Sequence, residues 1–132
     1  MEGIKPIDHP QYCWERTKDI TYTLGALKKH AGTCRIVNAH NVTLALLQDD
    51  KLALRKGYAH NGCSMSPDFH NARRGCEAHD ALVQMLQRGA TSFTLEQANN
   101  ALLELQKRDN FKLSKLYRWA TGTWFARKFM KL

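Results

Sequence analysis

The chain has 132 residues, a length that fits one domain. Hydrophobic residues make up 43% and charged residues 24%, which predicts a packed core, and no apolar run is long enough to span a bilayer. The formal net charge of +8 and a pI near 9.5 favour anionic partners: a phospholipid surface, nucleic acid or an acidic protein.

The first ten residues are polar and contain Pro6 and Pro10, so they do not read as a signal peptide. Without export, a bacterial cytoplasm would keep the four cysteines largely reduced. Residues 1 to 17 read as an irregular arm with Tyr12 and Trp14 as anchors. Ile20 to Leu24 is β-branched and aromatic and predicts a strand. Residues 28 to 32 read as a basic turn, and Cys34 to Val37 as a short strand. Val42 to Gln48 and Lys51 to Lys56 flank Asp49-Asp50 and predict a β-hairpin. The expected fold class is α+β: a small N-terminal antiparallel sheet followed by three helices.

The hairpin runs into the stretch that carries the chemistry. Gly57 to Asp68 is dense in Gly, Asn, Ser and Pro and reads as a loop. From about His70 the spacing turns helical, with Ala72, Cys76, His79, Val83 and Leu86 on one face. Gly89 stands where a helix C-terminal glycine belongs. His79 and Asp80 therefore point about 100° apart, so His79 can face inward while Asp80 leans toward the loop. A neutral imidazole can deprotonate water, and a carboxylate beside loop carbonyls can hold a hard cation. Read alone, the pair is a helical histidine beside a solvated carboxylate. A zinc site from Cys63, Cys76, His60 and His79 lacks regular metal-ligand spacing.

Gly62-Cys63-Ser64-x-Ser66-Pro67-Asp68, then Cys76-x-x-His79-Asp80, resembles the calcium loop and catalytic helix of secreted phospholipases A₂, the prokaryotic branch above all. That resemblance implies a water-activating role for His79. It implies Ca²⁺ held by Asp80 with Asn61 and the Gly62 carbonyl, and a Cys63–Cys76 pair. The same stretch resembles short bacteriophage proteins patterned roughly Lys-Gly-Tyr-Ala-Trp-Asp-Gly-x-Ser-Gly-Pro, then His-Asp-Ala-Leu-Tyr-Gln. Lys56 to Pro67 and His79 to Gln84 carry that likeness, with Val83 in place of the Tyr. It extends weakly to the C-terminus. It implies synthesis in a host cytoplasm and a place in the virion or another assembly.

Thr94-Leu95-Glu96-Gln97 has the form of a capping box and predicts a helix to about Arg108, with Leu95, Ala98, Leu102 and Leu105 inward. Asn99 and Asn100 interrupt it. In the resembled enzymes a second-helix aspartate orients the catalytic histidine, and the resemblance puts Asn99 there. Residues 111 to 132 carry six Lys/Arg and no acid. Leu113, Leu116, Tyr117, Ala120 and Trp124 form a helical stripe. The stripe reads as the inner face of a core helix with a basic outer side, or as an interfacial helix on anionic lipid. No nucleic-acid-binding motif accompanies the charge.

Two functions follow as expectations. One is a phospholipase A₂-like hydrolase at a lipid surface, with His79, Asp80 and Asn99 as its site. The other is a catalytically silent virion, tail or host-interaction protein that keeps the scaffold. Asn61 and Asn99 stand where both families tend to have aspartate. Each amide removes a negative charge, which predicts weak calcium binding. In a serine-protease triad, the same carboxylate-to-amide change costs about 10⁴ in rate.

Overall fold

A computed structural model describes residues 3–28, 32–62 and 69–132, without the side chains of Trp124, Phe125 and Phe129. The loop expected over Cys63 to Asp68 and part of the basic turn at 28 to 32 lie outside the described residues.

Among the described residues, seven strands form two antiparallel sheets. β3 (Ile20–Thr23), β6 (Lys51–Leu54), β5 (Thr43–Gln48) and β4 (Thr33–Val37) lie side by side in that order. The hairpin between β5 and β6 turns at Asp49, which has φ 55, and pairs Leu47 with Leu52. Alternation puts Tyr22, Ile36, Ala45, Leu47, Leu52 and Leu54 on one buried face.

The second sheet joins β1 (Ile4–Pro6), β2 (Trp14–Arg16) and β7 (Ala59–His60). The N-terminal arm is thus partly strand, and the loop expected from Gly57 begins with a two-residue strand. Three-residue strands show too little alternation to be seen in sequence. Trp14 pairs with His60, which ties the arm to the segment that leads into the site.

α1 (Arg73–Gln87) follows a 3-10 turn at His70–Ala72 and ends before Gly89, whose φ is 94. α2 (Leu95–Arg108) starts on the expected capping box: Thr94 accepts from the Gln97 amide, and the Gln97 side chain accepts from the Thr94 amide. Ala78, Ala81, Leu82 and Met85 of α1 and Ala98, Ala101 and Leu105 of α2 pack with the leucines of the four-stranded sheet. Their small side chains let the helices approach closely. A Cβ on Gly75 would stand 2.7 Å from Gln106 Cγ.

The C-terminal segment forms two short helices rather than one: α3 (Ser114–Thr121) and α4 (Trp124–Phe129). Gly122 ends the first, and the Thr123 hydroxyl caps the second by accepting from the Ala126 amide at 3.1 Å. The expected inner stripe is corrected at Leu113 and Leu116, which are 42% and 54% exposed, while its member Tyr117 turns inward with Phe111 and Ser114.

Candidate functional site

α1 presents His79 to α2. His79 Nε2 lies 2.7 Å from Asn99 Oδ1. Asn99 is buried, and its Nδ2 donates to the Thr121 carbonyl at 3.3 Å. That donation fixes the amide so that Oδ1 accepts. Nε2 of a neutral His79 therefore carries the ring proton, and Nδ1 is the basic nitrogen. Burial lowers the His79 pKa, and Arg118 adds to the lowering. The Asn99 bond and Asp80 offset it in part. The ring is neutral at neutral pH, the state a general base requires. Of the two adjacent amides, Asn100 is the exposed one and accepts from Arg118 Nε at 2.8 Å.

Asp80 leans the other way, toward the start of the loop. Its Oδ2 accepts the Asn61 amide at 2.9 Å and Gln84 Nε2 at 3.3 Å. Gln84 also donates to the Ala59 carbonyl. The Gly62 amide donates to His60 Nδ1 at 3.1 Å. So the backbone meets α1 and β7 here through N–H groups, which repel a cation. Asp80 is the one carboxylate of the expected set Asn61, Gly62 and Asp80. Among the described residues no three His, Cys, Asp or Glu side chains converge on a point that could hold a metal. Ca²⁺ affinity rises with ligand charge, and Asp80 is the charge that the described part of the expected set supplies. His60 and His79 serve different partners and do not share a site.

The residue that sequence reasoning missed is Glu77, one turn before Asp80 on α1 and fully buried. Its carboxylate accepts from the Tyr22 hydroxyl at 2.5 Å and from Arg16 Nη1 at 3.4 Å, and His60 Nε2 lies 2.8 Å from it. Because Gly62 donates to Nδ1 of His60, the proton of a neutral His60 ring sits on Nε2, and that nitrogen lies 2.8 Å from Glu77 Oε2. Burial pushes the Glu77 carboxyl up, but His60, Tyr22 and Arg16 together outweigh burial and hold it below the usual range. The only signal in the sequence was a glutamate set between the small residues Gly75 and Ala78, and Gly75 lies against α2.

Cys76 is disulfide-bonded, whereas Cys13 and Cys34 are free. The expectation of largely reduced cysteines is thus corrected at Cys76. Its expected partner, Cys63, lies outside the described residues.

The outward side of α3 is the second feature. Leu116 and Trp119, the latter 69% exposed, share it with Lys115, and Lys112 and Leu113 precede it. No described helix is long and apolar enough to cross a membrane. No protein-family model, curated protein or solved structure matches the chain.

Proposed function

We propose that the protein works at a lipid surface as a slow, phospholipase A₂-like hydrolase with His79 as its general base. The 2.7 Å contact between His79 Nε2 and Asn99 Oδ1 carries this reading. His79 Nδ1 takes a proton from water as the water oxygen attacks an ester carbonyl. The imidazolium then returns that proton to the leaving alkoxide as the carbon–oxygen bond breaks. Asn99 holds the ring in register but brings no charge to the imidazolium, so the step is slow. Asp80 alone predicts weak calcium binding, and the proton transfers are assigned to the chain's own residues. The exposed Leu116, Trp119, Lys112 and Lys115 suit an anionic lipid surface. Fatty-acid release from phosphatidylglycerol vesicles, compared between wild type and His79→Ala, tests this. Slow release that disappears in the variant supports it. Equal release in both, or none in either, overturns it.

One observation favours a second reading. The Asp80 carboxylate is engaged by Asn61 and Gln84, which is how a structural tie behaves. On that reading the chain is a silent phage virion, tail or host-interaction protein. Asp80→Asn would then lower the melting temperature of a protein that shows no hydrolysis in any variant.

A further inference from the structure

Two side chains grip the backbone just after β7. The Asn61 amide donates to Asp80 Oδ2 at 2.9 Å, and the Gly62 amide donates to His60 Nδ1 at 3.1 Å. Of the seven asparagines in the chain, Asn61 alone is followed by glycine. The Asn61 side chain is half-buried and makes no hydrogen bond among the described residues, so it is free to turn and water reaches it.

The backbone nitrogen that follows an asparagine can attack the side-chain amide carbon and close a cyclic imide. Two obstacles ordinarily slow that attack. A side chain on the following residue crowds the nitrogen, and a backbone amide gives up its proton reluctantly. Gly62 has φ 59 and no side chain, so its nitrogen is uncrowded. His60 Nδ1 already holds the proton that must leave, and in a neutral ring it is the basic nitrogen. Across the ring, Nε2 lies 2.8 Å from Glu77 Oε2, so a carboxylate stands ready for the imidazolium that forms. Nucleophile, base and orienting carboxylate therefore follow one another, the arrangement that activates hydroxyl and thiol nucleophiles. His60 and Glu77 are 1% and 0% exposed, and the Tyr58 ring stacks on His60 with centroids 5.8 Å apart, so the base is held in place.

We propose that Asn61 is a self-modification site, where His60 backed by Glu77 promotes conversion of the side-chain amide to a carboxylate. The Gly62 nitrogen bonds to Asn61 Cγ as its proton passes to His60 Nδ1. His60 returns that proton to the side-chain nitrogen, the Cγ–Nδ2 bond breaks, ammonia leaves and the cyclic imide remains. Water then opens the imide. Addition at Cγ, with loss of its bond to the Gly62 nitrogen, gives aspartate. Addition at the backbone carbonyl carbon gives isoaspartate. The balance is amide plus water to acid plus ammonia, with no change of oxidation state. The product lowers the net charge by one and sets a second carboxylate beside the segment that Asp80 grips. The site does not depend on the hydrolase reading.

The test is peptide-mapping mass spectrometry, resolving aspartate from isoaspartate, on the full chain incubated at neutral pH. The same chain unfolded in urea and the variant His60→Gln are followed beside it. Conversion is expected at Asn61 and not at the other six asparagines, and faster in the folded chain than in the unfolded one. His60→Gln keeps a donor toward Glu77 but removes the basic nitrogen. It is expected to slow conversion about 100-fold, the lower end of what a positioned base contributes. If that variant does not fold, the comparison of folded with unfolded wild type decides alone. A folded chain that converts no faster than the unfolded one would overturn the proposal. So would a folded His60→Gln that converts as fast as the wild type.

Discussion

Arg16 and Glu77, 61 positions apart in sequence, form an ion pair that is 1% and 0% exposed at its two side chains. The pair joins the small sheet to α1, and His60 and Tyr22 complete it from β7 and β3. Removing one charge leaves the other buried without its partner. Glu77→Gln is therefore expected to destabilise the fold by about 3–5 kcal/mol, read from urea unfolding. A loss below about 1 kcal/mol would mean that the Arg16 charge is solvated in the native state.

Acid should unfold the protein in two stages. His79 has a folded pKa below its ordinary 6.5, so between those values the unfolded chain binds a proton that the native chain does not. Stability is thus lost as pH falls from about 6.5. Glu77 is also lowered, from 4.5, so its contribution is present above that value and is lost as pH falls through the folded value. His79→Gln should remove the first stage and leave the second. Unfolding free energies between pH 8 and pH 3 check both. An unchanged upper stage in the variant would contradict the assignment to His79.

Gly75 is where α1 and α2 come closest. A Cβ there would meet Gln106 Cγ at 2.7 Å and the Leu102 carbonyl oxygen at 3.2 Å. In an open helix Gly→Ala stabilises by about 0.5–1 kcal/mol. Here overpacking dominates, and Gly75→Ala is expected to destabilise by about 1–3 kcal/mol in thermal or urea unfolding. A stabilised variant would show that the two helices have room to separate.

Trp119 is 69% exposed and Leu116 54% exposed, beside Lys115. Tryptophan fluorescence should shift to the blue when the protein meets phosphatidylglycerol vesicles, and much less with neutral phosphatidylcholine. Trp119→Ser and Lys115→Glu should each weaken binding several-fold without lowering the melting temperature, since neither side chain packs in the core. Undiminished binding in the double variant would remove α3 from the contact.

What the sequence made legible was local. The β5–β6 hairpin alternates and turns on two aspartates, the Thr94 capping box stands four residues long, and the His79–Asp80 offset follows from helix geometry alone. Asn99 was placed opposite His79 by family likeness, and the structure puts the two in contact. What stayed hidden was non-local. β1 and β2 are three residues each and exist only because Trp14 and Glu15 find β7. The partners of Glu77 come from three distant strands. α3 turns Leu116 and Trp119 outward because Phe111 and Tyr117, in an edge contact at 4.9 Å, occupy its inner side. No period count weighs one aromatic against another.

On the proposed reading His79, held by Asn99, is a working but underpowered base. The most direct measurement is the pH–rate profile of phospholipid ester hydrolysis on anionic vesicles for wild type, His79→Ala and Asn99→Asp. Slow turnover is expected in the wild type, with an inflection below the ordinary histidine value, and none in His79→Ala. In Asn99→Asp a carboxylate stabilises the imidazolium, so the inflection should move up and the rate should rise, by up to about 10⁴. No turnover in either wild type or Asn99→Asp, or turnover that survives in His79→Ala, would contradict it.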